Sequence, residues 1–541
     1  MAVNGDQLPI IVGVGQTVVH WDGEDTDAAP SPLGLCVDAA TNALDDAGRG
    51  AELRNLVDTV AVVRTLEDSI PQSPYPFGRC TNYPGAITEQ LGLRASRGVY
   101  SAVGGDQPQC LVNEYAVRLS RGECAAVLLC GAEATSAFKT ASRKHTPLDW
   151  ASKSDFPFED RGIGEPLSTR AERRAGLGWP TNSYPLFEEA YRARLGLSRD
   201  DYLEEMAGLL EQFSEVAAEN PHSQFPQARS AQFLKTASKA NYPIAGPYLK
   251  WHVAQDAVNQ GAALVLTTVG AARKAGVPRD QWIYLHGHSA LKDCHLGRRP
   301  DLSRSQSLTA SLSDALQRSE LEPSEIEFFD IYSCFPCVVF LAAEALGLDW
   351  RKQRLTQTGG LPFFGGPGNN YSMHAIASVV ERLRSAPGSF GLVLANGGYL
   401  SKHAAGVYST EAPRNWMAGD SSAMQSQIDA AAIRAEVDAS DQSFTGRVES
   451  FTVVHGRQHP EYVTLAVRHE DARVFVKVGA EDSDLARELA TGLDPIGASV
   501  RLAAAEVNPQ SEPNGASSAY ELIHIDLGEH RASVAATKES A

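Results

Sequence analysis

The sequence is poor in cysteine, in basic residues and in long apolar runs, and each shortage closes off a class of function. Eight cysteines in 541 residues, several of them inside apolar runs (Cys124, Cys130), are too few for a disulfide framework. They read as small buried hydrophobes of a reducing compartment, so a cytoplasmic location is expected. No apolar stretch approaches the roughly 20 residues of a membrane-spanning helix; Ala262–Val269 is among the longest. The opening MAVNGDQLPIIVGVGQT has an acidic residue and no basic region, unlike a signal peptide. Lys and Arg number 48 against 66 Asp and Glu, a net charge of −18. Such a surface repels phosphate backbones and anionic lipid, so no nucleic-acid or membrane partner is expected, although a local pocket can still hold a small anion. No second CxxC and no spaced His pair accompanies the single CxxC, so no metal site is expected.

What is present is an ordinary globular balance, 43% apolar and 21% charged, long enough for two to four domains. Strand and helix patterns alternate: strands near 10–14, 57–63, 99–103 and 125–130, with helices near 33–47, 84–91 and 108–120 between them. This rhythm predicts a parallel sheet covered by helices. A stretch rich in Arg, Asp, Glu and Pro, about 137–250, reads as a helical excursion. The rhythm then returns, with strands near 282–285, 326–332 and 390–395 and helices near 308–319, 338–346 and 374–383. The expected fold is therefore α/β, two similar halves (1–270 and 271–412) with a helical insertion. A polar linker (413–441) follows, then a small β-rich, OB-like domain (442–506) of period-two strands and one helix. Residues 507–541 read as a flexible tail, within which Tyr520–Ile525 suits a further strand.

Four motifs bear on the chemistry. Gly13-Val14-Gly15 has Val18 where a dinucleotide fingerprint needs its third Gly, and Gly287-His288-Ser289-Ala290-Leu291 has Leu where a nucleophile elbow needs Gly, so neither reading is adopted. Cys334-Phe335-Pro336-Cys337 lies between a strand and a helix, the setting of thiol redox sites, and the helix dipole there lowers a thiol pKa. A tight strand-to-helix turn is the preferred reading of that CxxC. The glycine-rich loop Gly359–Asn370 precedes a helix carrying His374, which suits a general base, a ligand contact or a satisfied buried histidine.

Taken together, these segments resemble the thiolase superfamily over roughly Leu8–Thr410. The IVGVGQT opening, the Asp-Ala-rich helix after it, Ser223-Gln224-Phe225, and Tyr332-Ser333-Cys334-Phe335 in place of a His-Asp-Cys-Phe segment are similar to the sterol-carrier branch. The Gly-Gly-Leu…Gly-Gly-Pro loop resembles the family's Gly-Gly-Leu…Gly-His-Pro loop, and the extra β-rich domain resembles the group called thiolase-like protein type 1. The resemblance implies CoA or acyl-CoA as ligand, with no other cofactor, and acyltransferase chemistry through a nucleophilic Cys, activating His residues and a second Cys. Carried over by position, Gly105 falls at the nucleophile, Tyr332 and Gly366 at the histidines, and Ala395 at the distal cysteine; Cys334 alone matches a catalytic residue. The expectation is a CoA or acyl-CoA binder without ordinary thiolase activity. Ser333, Asn369, Asn370 and Gly397 are the candidate ligand contacts. The alternatives are an acyltransferase or condensing enzyme built on a displaced Cys334–His374 couple, or a CxxC redox protein. The chain is expected as a monomer or dimer, with the C-terminal domain available to a protein partner.

Overall fold

The structure is a computed structural model that describes residues 4–48, 50–70, 74–435, 437, 443–457, 459–480, 484–505 and 519–528. The first half contributes five strands, β1 (Pro9–Val18), β2 (Val57–Val62), β3 (Arg97–Tyr100), β4 (Ala126–Ala134) and β5 (Asn259–Thr268), ordered β3-β2-β4-β5-β1. The second half contributes β6 (Ile283–Lys292), β7 (Ile326–Ile331), β8 (Phe390–Gly397) and β9 (Lys402–Ser409), ordered β7-β8-β9-β6. β2 runs parallel to β4 in the first half and β7 parallel to β8 in the second, and in both halves the remaining pairs toward the first strand are antiparallel. The sheet is thus mixed, not the wholly parallel one that the strand–helix rhythm predicts. The first strands of the halves meet antiparallel at Ile10–Tyr284 and Ile11–Ile283, which joins everything into one ten-stranded sheet.

The second half lacks a counterpart of β3. In its place the loop before Gly359 leans on β7: Ile331 N–H donates to Leu355 O at 2.9 Å, and the buried Asp330 carboxylate accepts the N–H groups of Gln357 (2.8 Å) and Thr358 (2.9 Å). The glycines of the opening motif also acquire a reason. Helix α1 (Pro32–Asp46), capped by Ser31, lies so close to β1 that a Cβ on Gly13 would stand 2.0 Å from Ala43 O, and one on Gly15 2.2 Å from Ala39 O. Gly287 does the same in the second half, 2.1 Å from Ala315 O of the helix Gln306–Ser319. Two motifs that mimic cofactor and nucleophile signatures are equivalent helix–strand contacts in two similar halves.

Helix α2 (Gln107–Ser120) follows β3. The insertion contributes α3 (Pro180–Leu195) and α4 (Arg199–Glu219) and a short strand, Phe158–Asp160, that adds in parallel to the outer edge of β3. In the second half, α5 (Pro336–Leu346) begins within the CxxC segment and α6 (Tyr371–Ser385) follows the glycine-rich loop.

The C-terminal unit consists of Ser443–His455, Pro460–His469, Ala472–Gly479, Ser499–Ala505 and Ala519–Asp526, ordered third-second-first-fourth-fifth, with the helix Leu485–Ala490 between the third and fourth. That connectivity, with the third and fifth strands packed together, is OB-like. The fifth strand corrects the boundary expected at 506: part of the 507–541 tail, 519–526, is an integral strand, while 507–518 and 529–541 lie outside the described residues. The linker holds a helix of its own, Ser422–Ala430. The unit is welded to the rest. Thr464 Oγ1 donates to Ala175 O and Ser450 Oγ to Leu186 O, both at 2.6 Å, and Val453 and Val454 pair as a ladder with Gly246 and Ala245 of the insertion.

Candidate active-site junction

The ends of β3, β7 and β8 and the starts of α2, α5 and α6 converge where the halves meet. Gly105 sits at the turn into α2 with no room beside it. A Cβ there would lie 2.4 Å from the Tyr332 hydroxyl and 2.5 Å from Asn396 O. Gly397 closes the other side, where a Cβ would meet the Asp106 carboxylate at 2.2 Å. Tyr332 therefore fills the space in front of α2, its ring edge-on to Tyr371 at 5.3 Å, and burial raises its phenol pKa well above the ordinary value.

Gly366 differs: a Cβ there would meet nothing nearer than 3.4 Å, so the residue is not forced to be glycine by sterics. Ala395 is buried within β8, paired with Ala404 of β9.

The candidate ligand contacts are occupied by the junction itself. Ser333 Oγ accepts Leu361 N–H at 3.1 Å. Asn369 accepts Gly104 N–H (3.1 Å) and donates to Arg64 O (2.8 Å) and Ser69 Oγ (3.1 Å). Asn370 donates to Gly131 O at 2.6 Å, and its own Oδ1 finds no partner among the described residues. Both asparagines stitch the glycine-rich loop of one half to strand ends of the other.

Cys334 and His374 belong to separate networks. Cys334 Sγ accepts from Asn396 Nδ2 at 3.4 Å, and Asn396 Nδ2 also donates to the Tyr184 hydroxyl at 2.9 Å, whose ring stacks on Phe335 at 4.1 Å. His374 Nδ1 bonds Gln16 Oε1 at 2.8 Å, an arrangement that places the proton on Nδ1, and its ring meets Phe364 edge-on at 5.1 Å. No hydrogen bond joins the two. Burial pushes the Cys334 thiol up to about 12 and holds the His374 imidazole down near 3. The helix-dipole expectation for Cys334 is thus corrected: desolvation outweighs the dipole. Cys337 is also raised by burial, and all eight cysteines are free thiols.

Three participants gave no signal in the sequence. Tyr184 and Glu188 come from the insertion, about 150 residues from the segment they touch, and Asn396 hides in a strand end. Glu188 is fully buried, accepting from the Tyr248 hydroxyl (2.6 Å) and Cys337 N–H (2.8 Å) as well as from Tyr202. Burial raises its carboxyl to about 7. Clefts of 680, 500, 410 and 330 Å3 lie elsewhere on the surface, and none is lined by the junction residues named above.

Two halves of like strand order, meeting at a junction of strand ends and helix starts beneath a helical insertion, define a thiolase-type fold. No family model and no curated protein matches the sequence. Among solved structures, a monomeric SCP2-thiolase-like protein type 1 from Mycobacterium smegmatis is 34% identical, aligning over 96% of this chain and 99% of that one with a TM-score of 0.78. On that match the chain belongs to the SCP2-thiolase-like protein type 1 family, within the thiolase superfamily. An Ltp2–ChsH2(DUF35) aldolase (17% identity, 75% of this chain and 98% of that one, TM-score 0.55) shares the fold. So does the dimeric peroxisomal thiolase of Saccharomyces cerevisiae (16%, 75% and 98%, TM-score 0.53).

Proposed function

We propose that this protein binds CoA or an acyl-CoA on its thiolase scaffold and does not turn it over by the thiolase route. One observation carries the second part: the residue at the nucleophile position is Gly105, and the place a side chain would take is held by the Tyr332 hydroxyl. A glycine cannot accept an acyl group, and losing the nucleophile and its histidine activators each removes orders of magnitude of rate. The displaced couple gains no support, because the hydrogen bonds of Cys334 and His374 go to other partners, and a thiol near 12 is almost wholly protonated at neutral pH. The same protonation, with burial, speaks against a CxxC redox role. The ligand class rests on the family fold.

A monomer fits the same reading. The outer edge of β3, open to pairing in a bare sheet, is taken by the chain's own Phe158–Asp160. Among the described residues no helix is long and apolar enough to cross a membrane, and the eight free thiols accord with the proposed cytoplasmic location.

Calorimetric titration with CoA and then acetoacetyl-CoA tests the function. Heats that saturate and stop are expected. Heat continuing after each injection would mean turnover, and no heat with either ligand would remove the binding reading.

A further inference from the structure

The 330 Å3 cleft lies between the loop that follows β6, the turn between β8 and β9, the segment around Leu167 and the linker helix, and it gathers cations that have no carboxylate partner among the described residues. Lys292 and Lys402 are directly opposite each other across the antiparallel β6–β9 pair. Cross-strand partners share one face with their Cβ atoms about 5 Å apart, and like charges so placed destabilise the sheet. Elsewhere several enclosed arginines are neutralised. Arg192 meets Glu189 (2.6 Å), Arg318 meets Asp314 (2.9 Å), Arg384 meets Asp46 (2.7 Å) and Arg473 meets Glu449 (2.6 Å). For the exposed Lys292 and Arg298 and the half-buried Lys402, all lining this cleft, no salt bridge occurs among the described residues.

The acids in the cleft are spoken for or peripheral. Asp293 accepts from Ser305 (2.6 Å) and Ser307 (2.7 Å) and lies 3.6 Å from the buried Arg299; Asp429 accepts from Gln425 at 2.9 Å; Glu165 is exposed. Lys402 Nζ donates to Val103 O at 3.1 Å, which holds the ammonium in place and leaves two of its three protons free.

We propose that this cleft is a binding site for a doubly charged phosphate group, with Lys292 and Lys402 as its two arms and Arg298 beside them. A dianion relieves the like-charge pair and takes charge-assisted hydrogen bonds from both ammonium groups. Through its bond to Val103 O, Lys402 also touches the backbone beside the Gly104-Gly105 turn of the junction. The inference stands apart from CoA binding in the junction.

The test is the unfolding midpoint of the full chain against inorganic phosphate, with sodium chloride at matched ionic strength as reference. A saturable rise beyond the chloride reference is expected. Lys292→Ala should weaken the apparent affinity at least about tenfold, the worth of one hydrogen bond to a charged group. Without phosphate the same variant should match or exceed the wild type in stability, because a repulsion is gone. Lys402→Met should act alike in binding; should it fold poorly through loss of the Val103 contact, Lys292→Gln replaces it. Competition then separates the sources. CoA displacing phosphate assigns the group to CoA itself, and independent binding of both assigns it to another phosphate ester. No saturable rise, or a rise that is the same in Lys292→Ala, overturns the proposal.

Discussion

Placing a side chain at residue 105 tests the reading of the junction. In Gly105→Ala the new Cβ would stand 2.4 Å from the Tyr332 hydroxyl, 2.9 Å from Tyr332 Cζ and 2.5 Å from Asn396 O. The buried Tyr332 is packed edge-on against Tyr371, and the Asn396 carbonyl is backbone within β8, fixed by its antiparallel pairing with β9. Overpacking a core by one methyl costs about 1–3 kcal/mol; with one of the two contacts immovable, the upper part of that range, about 2–3 kcal/mol, is expected. Tyr332→Ala alone opens a cavity and costs about 3–5 kcal/mol. Because both changes act on one space, the double variant should be more stable than the sum of the singles by about 1 kcal/mol or more. Urea unfolding of the four proteins followed by circular dichroism supplies the cycle. A Gly105→Ala variant within about 0.3 kcal/mol of wild type, or strict additivity, would refute the claim that Tyr332 occupies the space beside Gly105.

Three further outcomes follow from named contacts. Glu188, whose carboxyl is raised to about 7, keeps its proton while the unfolded chain has lost it, so its contribution is complete below the unfolded value of 4.5 and fades as pH rises toward 7. Relative to Glu188→Gln, the wild type should lose on the order of 3 kcal/mol between those limits; a pH-independent difference in urea midpoints would contradict this. Cys334, with its thiol near 12, should resist alkylation at pH 7.5 in the native protein, and Cys334→Ala should leave CoA heats unchanged; prompt labelling of Cys334 in a peptide map would be inconsistent with its burial. Ending the chain at Ala505 removes the strand Ala519–Asp526 and leaves Ser499–Ala505 as an open edge, so the variant should unfold at lower urea and aggregate. Unchanged stability would mean the fifth strand contributes nothing.

Periodicity located most strands and helices of both halves, because each has a buried face whose spacing is local. It failed where the decisive partner is remote. The parallel sheet expected from alternation turned mixed because the strands around Ala262 and His403 return antiparallel, and strand direction leaves no mark on composition. The missing third strand of the second half is replaced by hydrogen bonds to Asp330 that no spacing announces. At the junction, the sequence puts Gly105, Tyr332 and Cys334 at strand and helix ends. It could not show that Tyr332 fills the space at Gly105, that Cys334 answers to Asn396 and Tyr184, or that burial overrides the helix dipole. The fifth strand was legible at Tyr520–Ile525, but the Ser- and Glu-rich stretch before it put it outside the expected domain boundary.

The pairing of Val453 and Val454 with Gly246 and Ala245 has a consequence for motion. A helical insertion attached to a sheet only at its base can lift to admit a ligand with little else disturbed. Here its outer hairpin is a rung of the C-terminal barrel's own ladder, so lifting it either drags the barrel along or unzips that rung. Hydrogen exchange at Gly246 and at Val453 should therefore report one shared opening event, and the slower of the two units should set the tempo for both.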